Sequence, residues 1–200
     1  MLYSIKTSWI WLRRCGYCRG FGVQSPSAYS FIRYVINEHY SYYAYQELRE
    51  RLDMLSKLEH KLGRLLFRLS NFWQPMSVYC NLTKYYPYLY AGCRQGELKE
   101  LSDYFHLPLY DNSIKERALR QLVVVDWKYD EVDDLLTRIL PRCTPETLLI
   151  IIGIHRDKYK IAAWRKLKEM ELAGITYDLY YCGIVFFDKT VYKQHYKVNF

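Results

Sequence analysis

Two uninterrupted apolar runs, LVVV at 122–125 and LLIII at 148–152, constrain this chain more than any other feature. A strand with one wet face alternates apolar and polar residues, so a run without polar residues has to be covered on both faces. That calls for a sheet with helices above and below it, an α/β architecture that is parallel in its middle. Further β-prone stretches lie at 77–80, 88–91, 176–180, 184–187 and 195–200, with helical patterns at 95–105, 130–140 and 157–172. The last three strands lack room for crossover helices and are expected to pair antiparallel, at least in part.

The residues before the sheet have a different rhythm. Ser25-Pro26 is a helix start, Ser as N-cap and Pro at the first helical position, followed by Ala28, Phe31, Ile32, Val35 and Ile36 on one face. Apolar residues then recur at helical spacing over 45–72, with Gly63 as the expected break, until Gln74-Pro75 ends the helical region. The organisation expected is a helical N-terminal extension, 1–75, packed on an α/β core, 76–200. A chain of 200 residues suffices for one such globular unit, which buries about 70% of its unfolded surface.

Charge and cysteines narrow the function classes. Of the net charge of +8, five units fall before residue 38, on Lys6, Arg13, Arg14, Arg19 and Arg33, with no acid among them. A basic arm bearing Trp9 and Trp11 suits a solvated docking helix or an anionic partner. The run Trp9-Ile10-Trp11-Leu12 is cut off by Arg13-Arg14, too short for a membrane span or a signal-peptide core, so a cytoplasmic location is the default expectation. Cys15, Cys18, Cys80, Cys93, Cys143 and Cys182 are expected to be free thiols. Cys15-Gly-Tyr-Cys18 has the spacing of half a zinc site, but no second close pair follows and no metal is expected. The 22 tyrosines are spread along the chain and suit half-buried packing as well as base stacking.

Three segments together carry a resemblance: FGVQSPSAYSFIRYVINEHYSYYAYQELRERL (21–52), KLGRLLFRLSNFWQPMSVY (61–79) and GIVFFDKTVYKQHYKVNF (183–200). They resemble a branch of the class I S-adenosylmethionine-dependent methyltransferases with a helical N-terminal extension. The resemblance implies a Rossmann-like sheet with antiparallel C-terminal strands. It also implies a cofactor beyond the carboxyl ends of the first strands, held by a glycine-rich turn and a ribose-binding acid. At those positions this chain departs from the family. Tyr79 stands where an acid belongs, and Asn81 and Tyr85 where glycines belong, their side chains taking space the cofactor needs. Ala91 falls at the ribose-binding acid, although Gly92-Cys93 still match. Asp126 keeps a strand-ending acid, but bulky Trp127, Lys128 and Tyr129 follow it. Ile152-Gly153 replace paired acids before the retained Ile154-His155.

The degenerate cofactor positions are therefore Tyr79, Asn81, Ala91, Gly92 and Asp126, and the remaining catalytic candidates are Asp126 and His155. With no carboxylate beside it in the sequence, His155 is expected to be a loop histidine bonded to the backbone. No P-loop or zinc-protease motif occurs. The resulting expectation is a methyltransferase-like pseudoenzyme without S-adenosylmethionine, with a binding or scaffold role. The alternative is an active methyltransferase with an atypical pocket, and a weaker alternative is a nucleic-acid-binding protein. An acidic protein or nucleic-acid partner would meet the basic N-terminal arm or the helix spanning 156–168, rich in Arg and Lys.

Overall fold

The computed structural model describes residues 2–20, 22–111, 119–127, 132–190 and 192–200. Among the described residues, seven strands form one sheet: β1 Ser77–Cys80, β2 Glu97–Glu100, β3 Gln121–Asp126, β4 Thr147–Ile152, β5 Ile175–Asp178, β6 Cys182–Phe186 and β7 Gln194–Lys197. Their order is β2-β1-β3-β4-β6-β5-β7. β6 runs antiparallel to both of its neighbours, whereas the remaining pairs are parallel. The expected α/β sheet with a parallel centre is present, and the antiparallel element is confined to β6. β7 instead extends the sheet beyond β5 in parallel register.

Both faces are covered, as the apolar runs require. On one face Val78, Cys80, Leu122, Val124, Leu148, Ile150 and Ile184 join a core with Phe31, Ile32, Leu65, Leu66 and Leu69. On the other, Tyr79, Val123, Val125, Leu149, Ile151 and Val185 join Tyr104, Leu136, Ile139, Trp164 and Leu167. The period of two along each strand sends alternate side chains to opposite helical layers.

The first layer is the helical region that precedes the sheet: α1 Leu2–Arg14, α2 Pro26–Phe31 continuing as one π-helical segment Ile32–Ile36, α3 Tyr43–Arg51 and α4 Lys57–Trp73. α5 Tyr86–Gly92 joins this layer from inside the sheet region. The opposite layer holds α6 Leu101–Tyr104, α7 Val132–Ile139 and α8 Lys158–Glu169. Ser25 caps α2 as its sequence indicates, its hydroxyl accepting from the Ala28 N–H.

Two local expectations are corrected. The helical pattern over 45–72 breaks before Ser56, not at Gly63. Ser56 and Glu59 form a capping box that starts α4, because each side chain satisfies a backbone donor the first turn leaves open. Gly63 lies inside α4, where a β-carbon would come within 2.5 Å of the Tyr88 ring.

The second correction reassigns the second strand. The β-prone residues 88–91 belong to helix α5, which Pro87 starts at its first turn, and the strand is Glu97–Glu100, within the stretch expected to be helical. α5 is thus the crossover that two parallel neighbours need. Its tyrosines have high strand propensity, but burial of Tyr88 and Leu89 against α4 overrides it.

The α4–α5 contact is close enough to exclude side chains. A β-carbon on Gly92 would lie 2.3 Å from the Phe67 carbonyl oxygen, and a backbone atom cannot move aside as a flexible side chain can. Gly92→Ala should therefore cost about 2 kcal/mol by forcing the helices apart. Thermal unfolding should show its midpoint lowered by about 4–8 °C.

Candidate functional site

In open parallel sheets, ligands bind at the carboxyl ends of the strands. Here that edge carries Cys80, Glu100, Asp126, Ile152, Asp178 and the loops that follow. The last residue of β3, Asp126, is 2% exposed. Arg156, in the turn after β4, grips it bidentately, one guanidinium nitrogen on each carboxylate oxygen, with the Nη2–Oδ2 contact at 3.1 Å. Planar guanidinium and carboxylate match two bonds at once, so the pair fixes orientation as well as charge. The Asp126 N–H donates to Asn81 Oδ1 at 3.1 Å, which ties the end of β1 to β3.

Gly153 explains how Arg156 reaches back. Its φ of +91° is disfavoured for a side-chain-bearing residue, and a β-carbon there would come within 2.8 Å of the Arg156 Nε. Gly153 thus serves a tight turn and the arginine folded over it.

His155 has the carboxylate partner that its sequence neighbourhood lacks. Its Nε2 lies 2.8 Å from Asp178 Oδ2, and its ring stacks on Tyr180 with centroids 4.9 Å apart. The expectation of a backbone-bonded loop histidine is corrected: β5 brings in an acid from 23 residues away. Asp178 also accepts from Arg14 Nη2 at 3.0 Å and from the Tyr180 N–H at 2.9 Å. Burial acts to raise the Asp178 pKa, but the His155 hydrogen bond and charge, the Arg14 charge and the Tyr180 N–H outweigh it. The carboxyl is held at about 2. A carboxylate on Nε2 favours the tautomer with its proton there, leaving Nδ1 as the proton acceptor.

The remaining sequence candidates sit as follows. Tyr79, expected at the place of an acid, points into the core opposite α4, its ring 5.0 Å from that of Tyr104. Tyr86 is the ring at the strand ends: its hydroxyl shares its proton between the carbonyls of Cys80 and Lys99 at 3.2 and 3.4 Å, across the ends of β1 and β2. Tyr85 is buried beside it in a 3-10 turn, and burial raises its pKa. Ala91 and Gly92 lie in α5, away from the position assigned to them at a strand end. The residue that ends β2 is Glu100, exposed, so an acid does stand at the carboxyl end of this strand. Trp127 is fully buried in the core facing α7 and α8, while Lys128 and Tyr129 lie outside the described residues.

Side chains thus stitch successive gaps along the edge. Tyr86 joins β2 to β1, Asn81 joins β1 to β3, Asp126–Arg156 joins β3 to the end of β4, and His155–Asp178 joins that turn to β5. Arg14 closes the series, donating to Asp178 and to the Val198 carbonyl just past β7. Asp178, Arg156 and Tyr86 were missed in the sequence. An acid ending a strand was a usable signal for Asp178, whereas nothing local marks an arginine that reaches across to another strand.

Metal chemistry has no constellation here: among the described residues no group of three His, Cys, Asp or Glu could hold an ion. Cys15 is exposed and free, and the side chain of Cys18 lies outside those described. No helix among the described residues is long and apolar enough to cross a membrane.

No protein-family profile and no curated protein matches the chain. Among solved structures, a methyltransferase from Geobacter sulfurreducens aligns at 10% identity and a TM-score of 0.46, covering 76% of this chain and 91% of that one. A structural-genomics protein from Corynebacterium glutamicum aligns at 15% identity and a TM-score of 0.45, covering 80% and 97%.

Two outcomes test the stitched edge. Arg156→Ala leaves the Asp126 carboxylate in the core without its guanidinium and should cost about 2–3 kcal/mol, at or below the foot of the roughly 3–5 kcal/mol range for broken buried pairs because Arg156 is one-third exposed. Chemical denaturation should show this loss and a smaller one in the double variant Asp126→Leu/Arg156→Met. Asp178 has its pKa depressed to about 2 from an unfolded value of about 3.9, so its contribution of about 2 kcal/mol is complete above pH 4 and is lost as the pH falls toward 2. Asp178→Asn should flatten the acid limb of stability against pH in that window.

Proposed function

We propose that this chain is a methyltransferase-type domain that has given up S-adenosylmethionine and works as a non-catalytic binding domain. The observation that carries this reading is the stitching of the carboxyl edge by the chain's own side chains. A cofactor at the ends of β1 and β2 needs backbone that can approach it closely. The Tyr86 hydroxyl already holds the carbonyls of Cys80 and Lys99 there, and the turn after β1 has no glycine before Gly92. Asp126 is engaged by Arg156. The residues present do not fit the cofactor.

A second reading rests on Glu100. This exposed acid at the end of β2 is where a ribose diol would be held. The Asp178-oriented His155 would supply a proton acceptor at Nδ1. These two features favour an active methyltransferase with an atypical pocket.

Part of the basic surface that the sequence offers to a partner is engaged within the fold. Arg14, Arg156 and Lys160 are engaged by Asp178, Asp126 and Asp157. On α8 the exposed cations Lys158, Arg165 and Lys166 remain, and the N-terminal arm retains exposed Arg13 over Trp9.

Thermal unfolding with millimolar S-adenosylmethionine, and separately with its demethylated product, decides between the readings. Ligand at about 100 times its dissociation constant would add roughly 2.7 kcal/mol and raise the midpoint by about 5–10 °C. The expected result is no shift. A shift of that size that disappears in Glu100→Gln would establish the enzyme reading instead.

A further inference from the structure

A wide concavity lies away from the carboxyl edge, between the helical layer and residues 199–200. It is a groove of about 1350 Å³ bounded by α3, α4, the 36–41 loop, Trp11 of α1 and residues 199–200. Small-molecule pockets span roughly 300–1,000 Å³ and enclose their ligand; this one is a larger, open trough. Its walls carry Arg33, Arg49, Lys57, Lys61 and Arg64, none of which forms an ion pair among the described residues. Lys61 instead stands over the Phe200 ring at 4.5 Å and Arg64 over the Tyr45 ring at 5.3 Å. The buried Arg64 Nε has no hydrogen-bond partner. Arg68, on the groove floor, is structural, bonding the Val35 and Ile36 carbonyls.

Three acids share the walls. Glu38 is held by the Tyr42 hydroxyl at 2.9 Å and Glu50 by Gln46 at 3.1 Å, while Asp53 stands at the margin. The cations outnumber them and press on one another. His60 has its pKa lowered, first by loss of solvent and then by the charges of Arg64 and Arg49. Such an excess of positive charge, only partly offset by the acids beside it, favours a polyanion. The same walls present aromatic faces to solvent: Trp11 is 55% and Tyr40 78% exposed. An acidic peptide would meet the charges and leave these rings without a role. A positively charged groove interleaved with exposed aromatics is the arrangement that holds a single strand, phosphates on cations and bases on rings.

We propose that this groove binds single-stranded nucleic acid, with Arg49, Lys57 and Lys61 along the phosphates and Trp11 and Tyr40 stacking bases. The assignment deepens the reading of the domain as a binding module by naming its partner. The stitched edge takes no part in it.

The test is fluorescence anisotropy of labelled 12-nucleotide oligo(U) and oligo(dT) with the full chain. Contacts to three to five phosphates should weaken affinity by about 20- to 100-fold between 50 and 200 mM salt. Arg49→Glu/Lys57→Glu should reduce binding by at least about 30-fold and lower the salt slope. Tyr40→Ala should reduce it by about 5- to 100-fold with the slope unchanged. The three substituted side chains are exposed, so the fold is retained. Arg165→Glu/Lys166→Glu on α8 should leave binding intact.

No binding at 50 mM salt, full binding by the groove variants, or a loss confined to the α8 variant would overturn the proposal. So would displacement by polyglutamate as efficient as by unlabelled oligonucleotide, which would make the groove an acidic-peptide site. An oligonucleotide that fails to bind a protein indifferent to S-adenosylmethionine removes the groove assignment alone; a cofactor shift removes the non-catalytic reading alone.

Discussion

The pairing of Asp126 with Arg156 is the interaction on which the carboxyl edge depends. β3 delivers a carboxylate to a place with almost no solvent, and an ionised carboxylate in such surroundings has to be paired and hydrogen-bonded. The guanidinium that meets this need comes from the turn after the neighbouring strand. To bring it back, the turn adopts a backbone conformation that suits glycine, with no room for a β-carbon beneath the arginine. One buried acid thereby determines the identity of Gly153, the path of the turn and the position of His155 two residues on. The same turn delivers His155 to Asp178 and links the middle of the sheet to its far edge.

Sheets of this kind ordinarily leave their strand ends polar and open, because hydrogen-bonding capacity there is what a ligand uses. This chain spends that capacity internally. The carbonyls at the ends of β1 and β2 accept from Tyr86, the Asn81 amide oxygen accepts from the Asp126 N–H, and the Asp178 carboxylate accepts from three donors. Each bond contributes modestly, about 1 kcal/mol for neutral pairs and more where charge is involved. Together they tie the strand ends to one another and to the first helix.

The legibility of the sequence follows the range of the forces involved. The buried strands β3 and β4 could be read because an uninterrupted apolar run needs cover on both faces wherever it lies, and the cap of α2 because Ser-Pro is a local signal. The second strand was misplaced. Tyr88 and its neighbours have strand propensity, and only packing on α4, with glycines at the contact, makes them helical. That error put the end of the second strand at Ala91 instead of Glu100 and made the edge look emptier of acids than it is. Asp126 and His155 were recognised as residues, but their partners Arg156 and Asp178 were not. Such partners are set by strand order, which local pattern does not encode. The groove is a further case: its cations are scattered over 33–64 among acids, and only the helical layer gathers them on one concave wall.

Arg14 has a consequence for how the chain is made. Its hydrogen bonds to Asp178 lie 164 residues along the chain, and its bond to Val198 lies 184. During synthesis, at about 5–20 residues per second, α1 emerges roughly 8–37 s before the strands that anchor it. Throughout that interval the Arg14 guanidinium has no carboxylate to meet. A helix that leaves the ribosome well before the strands that anchor it is therefore late to find its place, which makes its docking a closing step of assembly and not a seed for it.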